Sequence, residues 1–413
     1  MNRNEEMRAA GELAGEAIGG VVEIVEDVHC AISERVDTAL PPAARQVTAP
    51  QRVAVEAIYL AVDVGQRLLA IGVADLLARR NGPAAARPTE TPLGARLAAV
   101  VNGLWGDRVA RNHPLLATRT AVRVDGHDVL LAPDTVAAAF PDAGPRLVVF
   151  VHGLVQDETA WDQRDYEPPD DGRPYGERLR DDLGLTPVYV RYNSGLRVSS
   201  NGQSLSALLD DLVAAWPVPV EEISIVGASM GGLVARSACH YGDRDGLAWA
   251  EAVRKVVTLG TPHVGAPLEQ GAHVIDIVLR VFPETEPLSR ILGSRSVGVK
   301  DLRYGNLVEE DWLGHDPDEL LTDRATHVPF LDHATYYYVA ATVTTDAAHP
   351  AGRLFGDGLV RYASASGEHK TRRLPFEHDN GFHLTGFHHL SMLNNSAVYD
   401  KLRQWLAPKE VLV

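Results

Sequence analysis

Five apolar, β-rich runs recur between residues 147 and 343, each followed by a helical pattern, and this rhythm constrains the fold more than any other feature. The runs are LVVFVH (147–152), PVYVRY (187–192), EISIVGAS (222–229), RKVVTLGTP (254–262) and YYYVAATV (336–343). Strands that are apolar throughout must be covered on both sides, so this alternation specifies a mostly parallel sheet between helical layers. Between the second and third runs, Leu205, Leu208, Leu209 and Leu212 lie on one helical face. Upstream, TRTAVRV and HDVLLAP alternate apolar and polar residues around Asp125-Gly126, a strong hairpin signal.

One strand-to-helix junction carries a chemical signal. Gly227-Ala228-Ser229-Met230-Gly231-Gly232 has the form G-x-S-x-G. That pattern is weak alone, but here it directly follows the strand ISIV and opens the helical stretch LVARSACHY. A sharp turn in that setting lifts the serine clear of the sheet, and side chains at the flanking positions would clash. The free N–H groups of the following helix face the same point and favour developing negative charge. Ser229 is therefore the candidate nucleophile, which needs a base and an oxyanion site.

The N-terminal third reads differently. In residues 5–36, Met7, Ala10, Ala14, Ile18, Val21, Val25, Val28 and Ile32 recur at helical steps, and Pro41, Pro42 and Pro50 then break the pattern. Residues 51–80 form a second apolar segment, interrupted by Glu56, Asp63, Arg67 and Asp75. Its uncharged runs are far shorter than the ~18 residues a membrane span requires. Residues 81–92, NGPAAARPTETP, read as a linker. The expected division is an N-terminal helical extension over 1–90 and a catalytic domain over 91–413. Residues 265–335 are a candidate cap or lid insertion; within them Ile275, Val278, Leu279 and Phe282 have helical spacing, which fits either a packed core helix or a lid helix over an acyl pocket. The extension must cover its apolar faces on the domain, on a second copy in a homo-oligomer, or on a membrane or lipid surface through residues 1–80.

Charge and cysteine usage remove several classes. A formal net charge of −16 disfavours nucleic acid as a partner. The only cysteines, Cys30 and Cys239, cannot make a disulfide framework, and the sixteen histidines have no metal-ligand spacing, so no metal and no cofactor is expected. Two glutamates stand near the N-terminus where a signal peptide would be basic, which points to a cytoplasmic location.

VHGL at 151–154, GASMGG at 227–232, TLGTPHVGAP at 258–267, GDGLV at 356–360 and HLSMLNN at 389–395 occur in this order. With them, residues 116–408 resemble α/β-hydrolase lipases and esterases, especially bacterial triacylglycerol-lipase-like proteins. Residues 1–90 resemble nothing in that family. The resemblance implies an α/β-hydrolase fold and hydrolysis of carboxylic esters, with a small-molecule ester bearing an apolar acyl chain as substrate. The same machinery serves thioesterases and acyltransferases, and fold alone does not choose among them. A lipid-surface protein with secondary catalysis is a further reading. Serine at the turn argues against the family's epoxide hydrolases and dehalogenases, which use aspartate there.

The resemblance also implies the remaining site residues. The backbone N–H groups of Leu154 and Met230 would form the oxyanion hole. The acid would be Asp357 in the Gly356–Val360 loop, with Asp346 as a solvated alternative and Asp332 wrongly placed before the strand. The base would be His389, which directly precedes an apolar residue and a short run into the last helix; His388 and His383 stay open as alternatives. His152 and His263 read as packing histidines, Cys239 as core, and Tyr192-Asn193-Ser194-Gly195 as a strand-ending turn.

Overall fold

The computed structural model describes residues 5–13, 91–162, 173–265, 295–315, 325–368 and 372–408. The second apolar segment expected over 51–80, most of the expected linker and the helix expected at 274–282 lie outside these residues. Of the first expected helix, residues 5–13 are described, and they are helical. By packing, the chain divides into two compact units. One comprises residues 1–98, 108–117 and 271–295; the other comprises residues 99–107, 118–270 and 296–413 and carries the sheet.

The sheet has eight strands: β1 (Ala121–Val124), β2 (His127–Asp128), β3 (Arg146–Val151), β4 (Thr186–Arg191), β5 (Glu222–Ala228), β6 (Val253–Leu259), β7 (Thr335–Thr342) and β8 (Gly381–Thr385). Their order is β2-β1-β4-β3-β5-β6-β7-β8. β1 pairs antiparallel with β2 and with β4, and every other pairing is parallel. In the β1–β2 hairpin Asp125 and Gly126 both take positive φ, 50° and 76°, as a two-residue turn matched to strand twist requires. β3 is flanked by β4 and β5, so the chain reverses its direction across the sheet at β3. In open parallel sheets the crevice at such a reversal, beyond the carboxyl ends of the strands, is where ligands bind.

The period-two alternation of the strands divides them between two cores. Leu147, Val149 and Val151 of β3 face one core and Val148 and Phe150 face the other. The main long helices are α1 (Pro92–Asn112), α2 (Tyr175–Leu183), α3 (Val198–Ala215), α4 (Met230–Arg244) and α5 (Ser396–Leu406). Leu205, Leu209 and Leu212 of α3 and Leu233, Val234 and Ala238 of α4 fill the first core. Tyr175 and Leu179 of α2 and Val398, Leu402 and Leu406 of α5 fill the second. Fully burying one such leucine contributes roughly 1.5–3 kcal/mol.

Two elements escape the sequence reading. α1 starts inside the expected linker: the Thr91 side chain accepts the Gly94 N–H at 3.2 Å, and Pro92 occupies the first turn, where its missing donor costs nothing. Gly103 and Gly106 weaken its helical signal, and the helix is kinked at Trp105 (φ −137°, ψ 21°). β8 is a five-residue edge strand, GFHLT, too short to show a period. It carries His383.

α3 begins without a cap of its own. Asp301 supplies one from across the chain: its carboxylate accepts the Val198 N–H at 2.9 Å and pairs with Arg197 at 2.6 Å. Burial raises the Asp301 carboxyl above its ordinary value in spite of these partners.

Candidate active site

The turn after β5 forces Ser229 into φ 51°, ψ −122°, a conformation that costs a non-glycine residue of order 1–3 kcal/mol. Its surroundings hold it there. The Ser229 N–H donates to the Leu259 carbonyl at 2.7 Å, and the Ser229 carbonyl accepts from Gly232 at 3.1 Å. The close approach requires glycine at two positions. A Cβ at Gly231 would lie 2.2 Å from the Val151 carbonyl oxygen, and one at Gly227 would lie 2.7 Å from the Gly231 oxygen. Ser229 remains half-exposed while Ala228 and Met230 on either side are buried. Among the described residues Ser229 Oγ has no hydrogen-bond partner; in ligand-free sites such bonds are often long and tighten only around substrate.

Asp357 and His389 meet. His389 Nδ1 lies 2.7 Å from Asp357 Oδ2, and the His389 backbone N–H donates to the Asp357 carbonyl at 3.0 Å. The other carboxylate oxygen, Oδ1, accepts the Leu359 and Val360 N–H groups at 2.9 and 2.8 Å. The aspartate is therefore fixed by its own loop, with one oxygen left for the imidazole. Gly356, at φ 60°, makes that loop possible, since a Cβ there would lie 1.9 Å from the Val360 oxygen. Beyond His389, the buried Tyr175 hydroxyl bonds to the Met392 carbonyl at 2.9 Å and accepts the Asn395 N–H at 2.6 Å, pinning the run into α5.

His389 lies beside the strand to which Ser229 is bonded. A Cβ on Gly260, the residue after Leu259, would be 3.0 Å from His389 Cε1. On the other flank, Gly153 packs against Ser229: a Cβ there would lie 3.2 Å from the serine Cβ. Leu154 is the next residue after Gly153, and Met230 is the first residue of α4, whose N–H has no partner within the helix.

The alternatives fall elsewhere. His388 is exposed whereas His389 is buried. His383 Nε2 is engaged with Thr342 Oγ1 at 3.0 Å. Asp346 is exposed and accepts from its own loop at Ala348. His152 is buried between the Gly153 carbonyl (2.8 Å) and the Tyr192 N–H (3.2 Å), and desolvation lowers its pKa. His263 receives a hydrogen bond from Arg236 at 3.2 Å and contacts Thr258 at 3.1 Å. Its pKa is pushed well down by burial, with the Arg236 and Arg372 charges adding to the effect. Cys239 is buried in the core, where desolvation pushes its thiol up to about 12. Among the described residues no cluster of histidine, cysteine or carboxylate side chains could hold a metal ion, and no helix is long and apolar enough to cross a membrane. A cleft of about 430 Å³ lined by Arg123, Phe140, Glu158 and Tyr189 lies beside β1 and β4 and includes none of the site residues.

Sequence reasoning missed the side chains that shape the loop after β3. Gln156 Oε1 accepts the Gly153 N–H at 2.9 Å, and Ser194 Oγ accepts the Val155 N–H at 3.1 Å. The second contact spans 39 residues, so no local spacing could have announced it.

A mostly parallel eight-stranded sheet, with a serine on a strained turn between a central strand and its helix, is the arrangement of the α/β-hydrolase fold. Within it, residues 203–303 match the family model described as the PGAP1-like alpha/beta domain. Among curated proteins nothing matches the chain. Solved structures similar to it include the mature form of Bacillus licheniformis lipase BlEst2, at 20% identity over 70% of this chain and 97% of that one, with a TM-score of 0.41. An esterase of Pyrobaculum calidifontis is 15% identical over 78% of this chain and 96% of its own, with a TM-score of 0.37. Phospholipase PlaB from Legionella pneumophila is 15% identical over 65% of this chain and 60% of its own, with a TM-score of 0.40.

Proposed function

We propose that the chain is a serine carboxylic-ester hydrolase that works through an acyl-enzyme on Ser229. The observation that carries this reading is the buried Asp357–His389 pair, 2.7 Å apart, beside the strained serine turn. Asp357 accepts the Nδ1–H of His389 and so leaves Nε2 unprotonated to take the Ser229 proton. The serine oxygen attacks the ester carbonyl, and the resulting oxyanion lies against the N–H groups of Leu154 and Met230. Collapse of this intermediate releases the alcohol, which takes its proton from His389. Water activated by the same histidine then attacks the acyl-enzyme and frees the acid.

Two exposed apolar side chains support an apolar acyl group. Leu359 is 41% exposed two residues after Asp357, and Leu390 is 37% exposed one residue after His389. The N-terminal residues 1–90 are accessory in this reading, since every proposed catalytic group lies after residue 150. Turnover of a p-nitrophenyl ester series of increasing chain length, with and without a lipid interface, tests it. Wild type should hydrolyse the series and Ser229→Ala should not. Equal turnover by both proteins would sink the proposal.

A further inference from the structure

We infer that Ser194 is a positioning residue for the oxyanion donor at Leu154; the inference rests on the serine-hydrolase reading above. Three consecutive N–H groups follow His152. The first, Gly153, is committed to Gln156 Oε1 at 2.9 Å, and the third, Val155, to Ser194 Oγ at 3.1 Å. Only the middle one, Leu154, has no hydrogen bond within the described residues, and it is the one the mechanism needs. Clamping both neighbours fixes the His152–Gly153 and Leu154–Val155 peptide planes, which flank the Gly153–Leu154 peptide, and so restricts the direction of the Leu154 N–H.

The clamp is built under strain. Val155 is a β-branched residue at φ 56°, a conformation that persists only where the surroundings over-determine it. α1 supplies part of that surrounding. A Cβ on Gly103 would lie 2.6 Å from Val155 Cγ1 and 2.9 Å from its backbone nitrogen, so the glycine lets the helix support the loop directly. The same stretch of α1 holds the turn that presents Ser194. Asn193 Nδ2 donates to the Gly106 carbonyl at 3.3 Å, and a Cβ on Gly195 would lie 2.0 Å from the Asn102 carbonyl oxygen. Asn193 Oδ1 closes the turn by accepting the Gly195 N–H at 3.0 Å, and Asn201 Nδ2 binds the Asn193 carbonyl at 2.9 Å. Ser194 is itself buried. Its hydroxyl therefore reaches Val155 from a rigid base, and the Tyr192–Gly195 turn has a task in the loop after β3.

Ser194→Ala removes the acceptor and leaves the Val155 N–H without a partner at its strained φ. The loop can then relax, which tilts the Leu154 N–H away from the developing oxyanion. Kinetics normalised to active sites titrated with a fluorophosphonate read this directly. We expect kcat per titrated site to fall about 10- to 100-fold, with KM changed less than about threefold. Inhibition by an alkyl boronic acid, which becomes tetrahedral on Ser229, should weaken by a similar factor. Ser194→Thr keeps the hydroxyl and should restore both readouts toward wild type in proportion to its folded fraction. A role confined to stability would lower the melting temperature and the titrated fraction without moving kcat per site or boronate affinity. Such a result, or a rise in KM alone, overturns the inference while leaving the hydrolase reading intact. A folded wild type that neither turns over esters nor reacts with the fluorophosphonate overturns both.

Discussion

Replacing Asp357 by asparagine changes one atom and should silence the enzyme without unfolding it. In the native loop Oδ1 accepts two backbone N–H groups, from Leu359 and Val360, and Oδ2 faces His389 Nδ1. An asparagine has one oxygen and one NH2 to distribute. Turning the NH2 toward the loop would set donors against donors and leave the buried Val360 N–H unsatisfied, at about 1–3 kcal/mol, with a smaller cost at the part-buried Leu359 N–H. Keeping the oxygen on the loop therefore wins by at least about 1 kcal/mol, a preference of at least about fivefold. The NH2 then points at His389 Nδ1 and can be satisfied only if that nitrogen is an acceptor. The imidazole carries its proton on Nε2 instead, facing Ser229, where it can no longer act as base. Fixing the wrong tautomer in this way costs about 10⁴-fold in kcat, or about 5 kcal/mol of transition-state stabilisation. Initial rates on a short-chain p-nitrophenyl ester, normalised to protein shown folded by circular dichroism, measure the loss. Adding Ser229→Ala should cost little more, because the groups act as a unit. A folded Asp357→Asn protein that keeps more than about a tenth of wild-type kcat would refute the tautomer argument.

His389→Ala should reduce turnover to near the level of Ser229→Ala, whereas His388→Ala, at an exposed position, should stay within a few-fold of wild type; the reverse pattern would move the base by one residue. His263 is buried with its pKa held well below the ordinary value of about 6.5, so the unfolded chain takes up the proton first. Stability from this group is complete above about pH 6.5 and is lost as pH falls, so the melting temperature should drop between about pH 7 and 5, less steeply in His263→Asn; equal slopes would exclude this cause. Leu209→Ala, on the face of α3 that packs in the first core, should destabilise by about 2–5 kcal/mol in urea titration, and a change below about 1 kcal/mol would contradict the packing described.

The parts of this fold that were legible in the sequence are those written in local spacing. β3, β4, β5, β6 and β7 are continuous apolar runs, and the structure has their ends within three residues of those runs. The Asp125-Gly126 hairpin is equally local, because its two positive φ values are demanded by the turn itself. At Ser229 the strand, the glycines and the helix are adjacent in the chain, so the strained turn could be anticipated. α1 was not, since its glycines serve contacts with Val155 and with the turn at Asn193–Gly195 rather than helix propensity. β8 is recruited to the edge by pairing with β7, and nothing in its five residues specifies that. The choice between His388 and His389 is also non-local. Neighbours in sequence differ in burial here because His389 is tied to Asp357 across 32 residues. Asp301 capping α3 from 103 residues away belongs to the same class.

The central claim is that Ser229 is the nucleophile of an acyl-enzyme mechanism, and peptide-level mass spectrometry after fluorophosphonate treatment tests it most directly. The account predicts one covalent adduct, on the peptide containing Ser229, formed in step with loss of esterase activity and absent from Ser229→Ala. An adduct on another residue that tracks inactivation, or full inactivation with Ser229 unmodified, would contradict it.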